Sequence, residues 1–280
     1  MFVDVNGIRL AYSDTAEGSP VVLLVHGFPL NRSMWDPQRA ALRSIGARVI
    51  APDLRGFGAS EAGPAGPLSM AQHADDLCSL LEHLEVREPV VYCGLSMGGY
   101  VAFPFWQRHR ERVAAFVLAD TRANQDQPDE RERRLAMADE VERTGSPQAV
   151  LDLMLPRLFA PSLWQGAPAR ELLRAMIAST AVRAIADGAR GVAARPDSLD
   201  VLPSIDVPTL VIVGEHDQIT PPEQSRLMVD RLPNARLEIV PQAGHMANIE
   251  NPDEFNTALL RFISAVAGRA SVAGPRRDGG

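Results

Sequence analysis

Ser96 lies in Gly94-Leu95-Ser96-Met97-Gly98, directly after the apolar run Pro89-Val90-Val91-Tyr92-Cys93. A serine hydroxyl is a weak nucleophile at neutral pH. Acyl transfer needs a base within hydrogen-bond reach of it and an acid that orients the base. The G-x-S-x-G spacing, on a turn that joins a buried strand to a helix, lets the hydroxyl project out of the backbone. Glycine on either side leaves room where neighbouring chain crowds the turn. The plain alternative is a tight strand-to-helix turn with an incidental serine. The additional Gly99 and the partners downstream favour the nucleophile.

The base is sought among six histidines. His73, His83 and His109 fall on expected helices away from any sheet edge and read as solvated surface. His26 and His216 adjoin other candidate segments. His245 remains, in Ala243-Gly244-His245-Met246, a loop just after the last expected strand, where the glycine lets the chain bring the imidazole back over the sheet. For the acid, Asp217 follows the strand ending near Val213 through Gly214-Glu215-His216. It therefore sits at a strand's carboxyl end, where ligands bind in open α/β sheets. Asp120 also ends a strand and is the competing candidate.

Elements that hold such residues are legible as alternating patterns. Residues 2–5 and 8–13 flank Asn6-Gly7, a strong hairpin signal. Residues 21–25, 48–51, 89–93, 113–119, 207–213 and 236–240 are further apolar runs, about eight strands in all. Helical stretches at 35–42, 69–84, 97–109, 222–231 and 252–267 alternate with them. That alternation implies a mostly parallel sheet covered by helices on both faces. Pro104 lies inside the helix after Ser96 and is expected to kink it.

Between about 121 and 203 the strands stop. A charged stretch, Asp129-Glu130-Arg131-Glu132-Arg133-Arg134, precedes three expected helices at 149–155, 169–179 and 182–191. The division is a core of residues 1–120 and 204–270, a helical cap of residues 121–203, and a tail of residues 271–280 without fixed structure. Met154, Leu158, Phe159, Trp164 and Met176 could line a substrate pocket under the cap or form the cap's own core. Trp35, Ile219 and Met246 complete the candidate substrate-contacting set.

Composition excludes several chemistries. All 28 basic residues are arginine, so Schiff-base, pyridoxal-phosphate and Walker-type lysine chemistry are ruled out. A formal charge of −7 argues against a nucleic-acid partner. No apolar run approaches the ~20 residues of a membrane span. The N-terminus lacks the charged and apolar regions of a signal peptide, and Cys78 and Cys93 fit a reduced cytoplasm. No metal-ligand spacing and no G-x-G-x-x-G after the first strand occur, so neither metal nor cofactor is expected.

The chain resembles a capped member of the α/β-hydrolase superfamily, and within it small bacterial carboxylesterases. The resemblance rests on His26-Gly27-Phe28-Pro29, residues 53–60, Gly94 to Gly99, Gly214 to Asp217 and Gly244-His245. The stretches at 95–103 and 118–123 are especially similar. Enol-lactonases, acyl-homoserine lactonases and cofactor-free haloperoxidases share the layout. The resemblance implies a triad of Ser96, Asp217 and His245, in the family's chain order. It also implies an oxyanion hole from the backbone N–H groups of Phe28 and Met97, since Pro29 has none. For residues 53–60 it implies a structural role, with Arg55 pairing to acids. The expected activity is hydrolysis of small carboxylic esters through an acyl-enzyme. Lactone opening, perhydrolysis and a non-catalytic small-molecule receptor are the alternatives.

Overall fold

Continuous apolar runs become strands buried on both faces, because a parallel sheet covered by helices offers them no water. The computed structural model describes residues 1–162 and 169–272, with side chains as far as residue 268. In chain order the strands are β1 (Phe2–Val5), β2 (Ile8–Asp14), β3 (Val21–Val25), β4 (Arg48–Pro52), β5 (Val90–Leu95), β6 (Val113–Ala119), β7 (Thr209–Gly214) and β8 (Ala235–Val240). The helices are α1 (Asp36–Ser44), α2 (Met70–His83), α3 (Met97–His109), α4 (Pro128–Thr144), α5 (Gln148–Met154), α6 (Arg170–Ser179), α7 (Val182–Ala193), α8 (Pro222–Val229), α9 (Ala247–Glu250) and α10 (Pro252–Val272).

The eight strands form one sheet in the order β1-β2-β4-β3-β5-β6-β7-β8. Asn6-Gly7 closes the antiparallel β1–β2 hairpin, both residues at positive φ. From β4 to β8 every pairing is parallel. The strands with wholly buried faces, β3, β5 and β7, are central or nearly so. Their carboxyl ends therefore lie along one edge, and the loops after β3, β5, β6, β7 and β8 meet there. This is the mostly parallel sheet expected from the alternation of elements, in the architecture that the α/β-hydrolase resemblance implies.

Pro104 lies half-buried inside α3, which runs from Met97 to His109. Two local expectations change. The charged stretch at 129–134 is not a lead-in but the first turns of α4, the longest helix between β6 and β7. Gln127 and Glu130 form a capping box, Pro128 occupies the first turn, and Gly145 at φ +64 ends the helix. Only Met137, Ala138 and Val141 are buried along α4, so its apolar stripe is too thin to show as periodicity. At the C-terminus α10 extends to Val272, two residues into the segment expected to lack structure. The rest of that segment, like Trp164, falls outside the described residues. Among the described residues no helix is long and apolar enough to cross a membrane.

Candidate active site

β5 ends at Leu95 and α3 begins at Met97, so Ser96 alone makes the turn. Its backbone has φ +54 and ψ −113, a conformation that L-residues avoid. The surroundings hold it there. Its amide donates to Ala119 O at 3.0 Å, and its carbonyl accepts from Gly99 N, Tyr100 N and the Thr121 hydroxyl. The flanking glycines are obligatory. A Cβ on Gly94 would overlap the Gly98 carbonyl, and one on Gly98 would overlap the carbonyl of Val25 on the neighbouring strand.

The Ser96 Oγ lies 2.9 Å from His245 Nε2, and His245 Nδ1 lies 2.8 Å from Asp217 Oδ2. A carboxylate only accepts, so Nδ1 carries the proton and Nε2 is free to take the one on Ser96. All three side chains are buried, at 9%, 2% and 3% exposure. Asp217 is fixed by the loop that follows it. Its Oδ1 accepts from Ile219 N and Thr220 N, and its Oδ2 accepts from the Thr220 hydroxyl at 2.7 Å. Burial would raise its pKa, but His245 and Thr220 outweigh burial and hold the carboxyl below the usual carboxylate range. The His245 loop is tied down in turn. Glu250 accepts from Gly244 N at 2.7 Å and from Ala160 N at 2.8 Å.

Asp120, the competing acid, is fully buried but turned to a different task. Its Oδ1 accepts from Gly214 N at 2.8 Å, bracing the end of β7, and its Oδ2 has no partner among the described residues. Burial, with Asp217 nearby, pushes its pKa well above the carboxylate range, which favours the neutral acid. Glu215 is exposed and accepts from Gln242 N.

On the opposite side of Ser96, the loop after β3 presses close. A Cβ on Gly27 would stand 3.3 Å from the Ser96 Cβ. His26 sets this loop. Its Nε2 accepts from Leu54 N at 2.9 Å, so its Nδ1 bears the proton and donates to Gly27 O. Burial lowers its pKa, so the ring is a neutral brace. The Phe28 amide has no acceptor among the described residues. Its ring packs edge-on against Phe57. The Met97 amide opens α3, where the first N–H groups of a helix have no internal partner. Asp53 accepts from the amides of Arg32 and Ala59 and pairs with the Arg32 side chain, which closes the loop after β4. Arg55 makes the acid pairing implied for it, a buried two-point bridge to Asp76.

The substrate-contacting candidates divide. Met154 and Ile219 line one cavity of about 470 Å³ with Tyr100. Leu158, Phe159 and Met246 are fully or almost fully buried around the His245 loop, with the Met246 amide donating to Leu158 O. Trp35 is fully buried with its ring 6.3 Å from Phe255 of α10.

Sequence reasoning missed three residues that position the site. Thr220, Thr121 and Glu250 carry no signal beyond their type, although Asp217-x-x-Thr220 has the spacing of a side-chain-capped turn. His73 is a correction: it is not solvated surface but fully buried, with both ring nitrogens unpartnered among the described residues. His109 is also half-sheltered, against Asp75 at 2.9 Å.

Residues 20–252 match the family described as alpha/beta hydrolase fold, which spans β3 to β8, the serine turn and the loops bearing Asp217 and His245. The chain belongs to the α/β-hydrolase family. An esterase from Thermogutta terrifontis superposes with a TM-score of 0.89 at 42% identity, covering 95% of this chain and 97% of that one. The enol-lactonase of Burkholderia xenovorans LB400 gives 0.85 at 32%, covering 94% and 100%. A non-heme haloperoxidase of Rhodococcus erythropolis is 31% identical over 280 residues, 93% of this chain and 97% of that protein. This α/β-hydrolase thus has esterase, lactonase and haloperoxidase relatives at 31–42% identity.

Proposed function

We propose that the protein hydrolyses small carboxylic esters through an acyl-enzyme, with Ser96 as nucleophile, His245 as base and Asp217 as orienting acid. The observation that carries this reading is the unbroken chain from Ser96 Oγ through His245 to Asp217, at 2.9 and 2.8 Å. His245 Nε2 takes the hydroxyl proton as Oγ bonds to the ester carbonyl carbon. The amides of Phe28 and Met97 receive the developing oxyanion. One such donor contributes on the order of 3 kcal/mol to the transition state. As the tetrahedral intermediate collapses, the C–O bond breaks and the alkoxide leaves with the proton from His245. A water molecule, deprotonated by His245, then attacks the acyl carbon and releases the acid.

Helices α4 to α7, within residues 121–203, act in this reading as a cap over the carboxyl edge of the sheet. Support comes from Phe28, whose ring a Cβ on Gly188 of α7 would touch, so the segment packs directly on the loop beside Ser96. The test is turnover of p-nitrophenyl butyrate by wild type and by Ser96→Ala. Loss of more than about three orders of magnitude is expected, and unchanged turnover overturns the reading.

The enol-lactonase likeness favours a second reading, in which the bond broken is that of a cyclic ester. The chemistry is the same, and the hydroxy acid leaves as one molecule. With hydrogen peroxide in place of water, the same acyl-enzyme would release a peracid, which is the sense in which a haloperoxidase relative fits. Comparing kcat/KM for butyrate esters and acyl-homoserine lactones separates ester from lactone.

A further inference from the structure

The cavity lined by Met154 and Ile219 is cationic in an otherwise acidic protein. Four arginines line it: Arg122, Arg133, Arg134 and Arg157. Glu130 and Glu140 also reach it. Much of this charge is matched nearby. Arg122 pairs with Asp126 and Glu130, Arg133 with Asp129, and Glu140 with Arg143. Asp126 also takes Arg134 and Arg195. The network therefore sets six guanidiniums against four carboxylates, while the whole chain carries −7.

The surplus can be located. Arg134 spends only its Nε on Asp126, and no other partner of its guanidinium is found among the described residues. Arg157 donates only to a carbonyl, Gln218 O, at 3.2 Å. Beneath them Arg122, 6% exposed, has its Nε buried with no acceptor among the described residues. Guanidinium forks match a carboxylate at two points, and an unfilled buried donor is costly.

The rest of the wall is apolar, with Met137, Leu153, Met154 and Ile219 suited to a short methylene chain. Two of its lining residues are tied to the candidate triad. Tyr100 stands one turn after Ser96 on α3, and the Ile219 amide donates to Asp217 Oδ1.

We propose that this cavity receives the free carboxylate of the substrate, so that the preferred esters or lactones are acid-bearing ones. The inference rests on the hydrolase reading above and adds a substrate class to it. The carboxylate docks between Arg134 and Arg157, the apolar wall holds the intervening chain, and the ester carbonyl lies toward Ser96.

The experiment compares mono-p-nitrophenyl glutarate with p-nitrophenyl pentanoate, which are similar in length and differ in the terminal charge. In wild type the ratio of kcat/KM, glutarate over pentanoate, is expected above ten and falling with added salt. Arg157→Gln should lower the ratio at least threefold, and the pair Arg134→Gln with Arg157→Gln at least tenfold, through KM. A wild-type ratio below one, or a ratio that the double variant leaves intact, overturns the proposal. Arg157 is exposed and bonds only a carbonyl, so its single variant remains decisive if the double variant fails to fold. Binding of glutarate to Ser96→Ala by calorimetry separates the two readings. No ester turnover with arginine-dependent glutarate binding would sink the hydrolase reading and keep the site. Turnover of the neutral ester without glutarate binding would do the reverse.

Discussion

The carboxyl ends of β6 and β7 carry two aspartates in equal burial and opposite states. Asp217 after β7 is ionised, held below the usual range by His245 and Thr220 against the effect of burial. Asp120 after β6 has its pKa raised, by burial first and by Asp217 second, which favours the neutral form. Both are buried to within a few per cent of completely. The difference lies in donors. Asp217 accepts from two amides, a hydroxyl and an imidazole. Asp120 accepts from the Gly214 amide and leaves Oδ2 unpartnered among the described residues. Burial sets the cost of a charge, and the supply of donors decides whether the charge survives.

The sharpest way to break this comparison is to exchange the carboxylate at Asp217. Asp217→Asn keeps the shape but offers an amide N–H where His245 Nδ1–H needs an acceptor, so the imidazole is expected to flip to the wrong tautomer. Ester turnover should fall about 10⁴-fold, with the fold intact by circular dichroism. A loss below tenfold would mean that Asp217 does not orient the base.

His73 extends the comparison to a base. It is fully buried on α2 beside Phe57, with neither ring nitrogen bonded among the described residues, and burial pushes its pKa down to about 3. In the unfolded chain it titrates near 6.5, so the unfolded state binds the extra proton between those values. Stability therefore falls as pH drops below about 6.5, by on the order of 4 kcal/mol at pH 3 for this group alone. His73→Leu, similar in volume, should remove that loss. The check is urea unfolding of both proteins from pH 7 to pH 4. If the two curves run parallel, His73 finds a partner that its surroundings do not reveal.

These contrasts mark what the sequence could disclose. Strand runs and the glycine-flanked serine are legible because burial on both faces and backbone crowding each demand a residue type. Gly98 against the Val25 carbonyl is such a demand. The serine, histidine and aspartate that the structure brings into one hydrogen-bonded chain were legible as strand-end residues in a recognisable order. Helix α4 was not, because salt bridges such as Arg133–Asp129 hold its exposed face and only three residues are buried. Its start did carry a signal, the capping box at Gln127 and Glu130. The burial of His73 had none, since an imidazole without partners has no local pattern. Thr220 and Glu250 matter through contacts that only the loops' folded path creates.

The smallest expected effect tests the neutral member of the pair. Asp120→Asn replaces an uncharged acid by an uncharged amide and keeps the Oδ1 acceptor for Gly214 N, so kcat/KM should stay within about threefold of wild type, a change of under 1 kcal/mol. Its signature lies in stability. A carboxyl whose pKa is raised by folding is neutral in the native state and ionised in the unfolded one, once pH exceeds its ordinary value near 4. Wild type thus loses stability as pH rises from the ordinary carboxylate range, and Asp120→Asn does not. Thermal unfolding at pH 4.5 and pH 8 should show the variant gaining on wild type at the higher pH. Equal slopes would mean that Asp120 is ionised in the folded protein. A hundredfold loss of turnover would mean that it shares the work of Asp217.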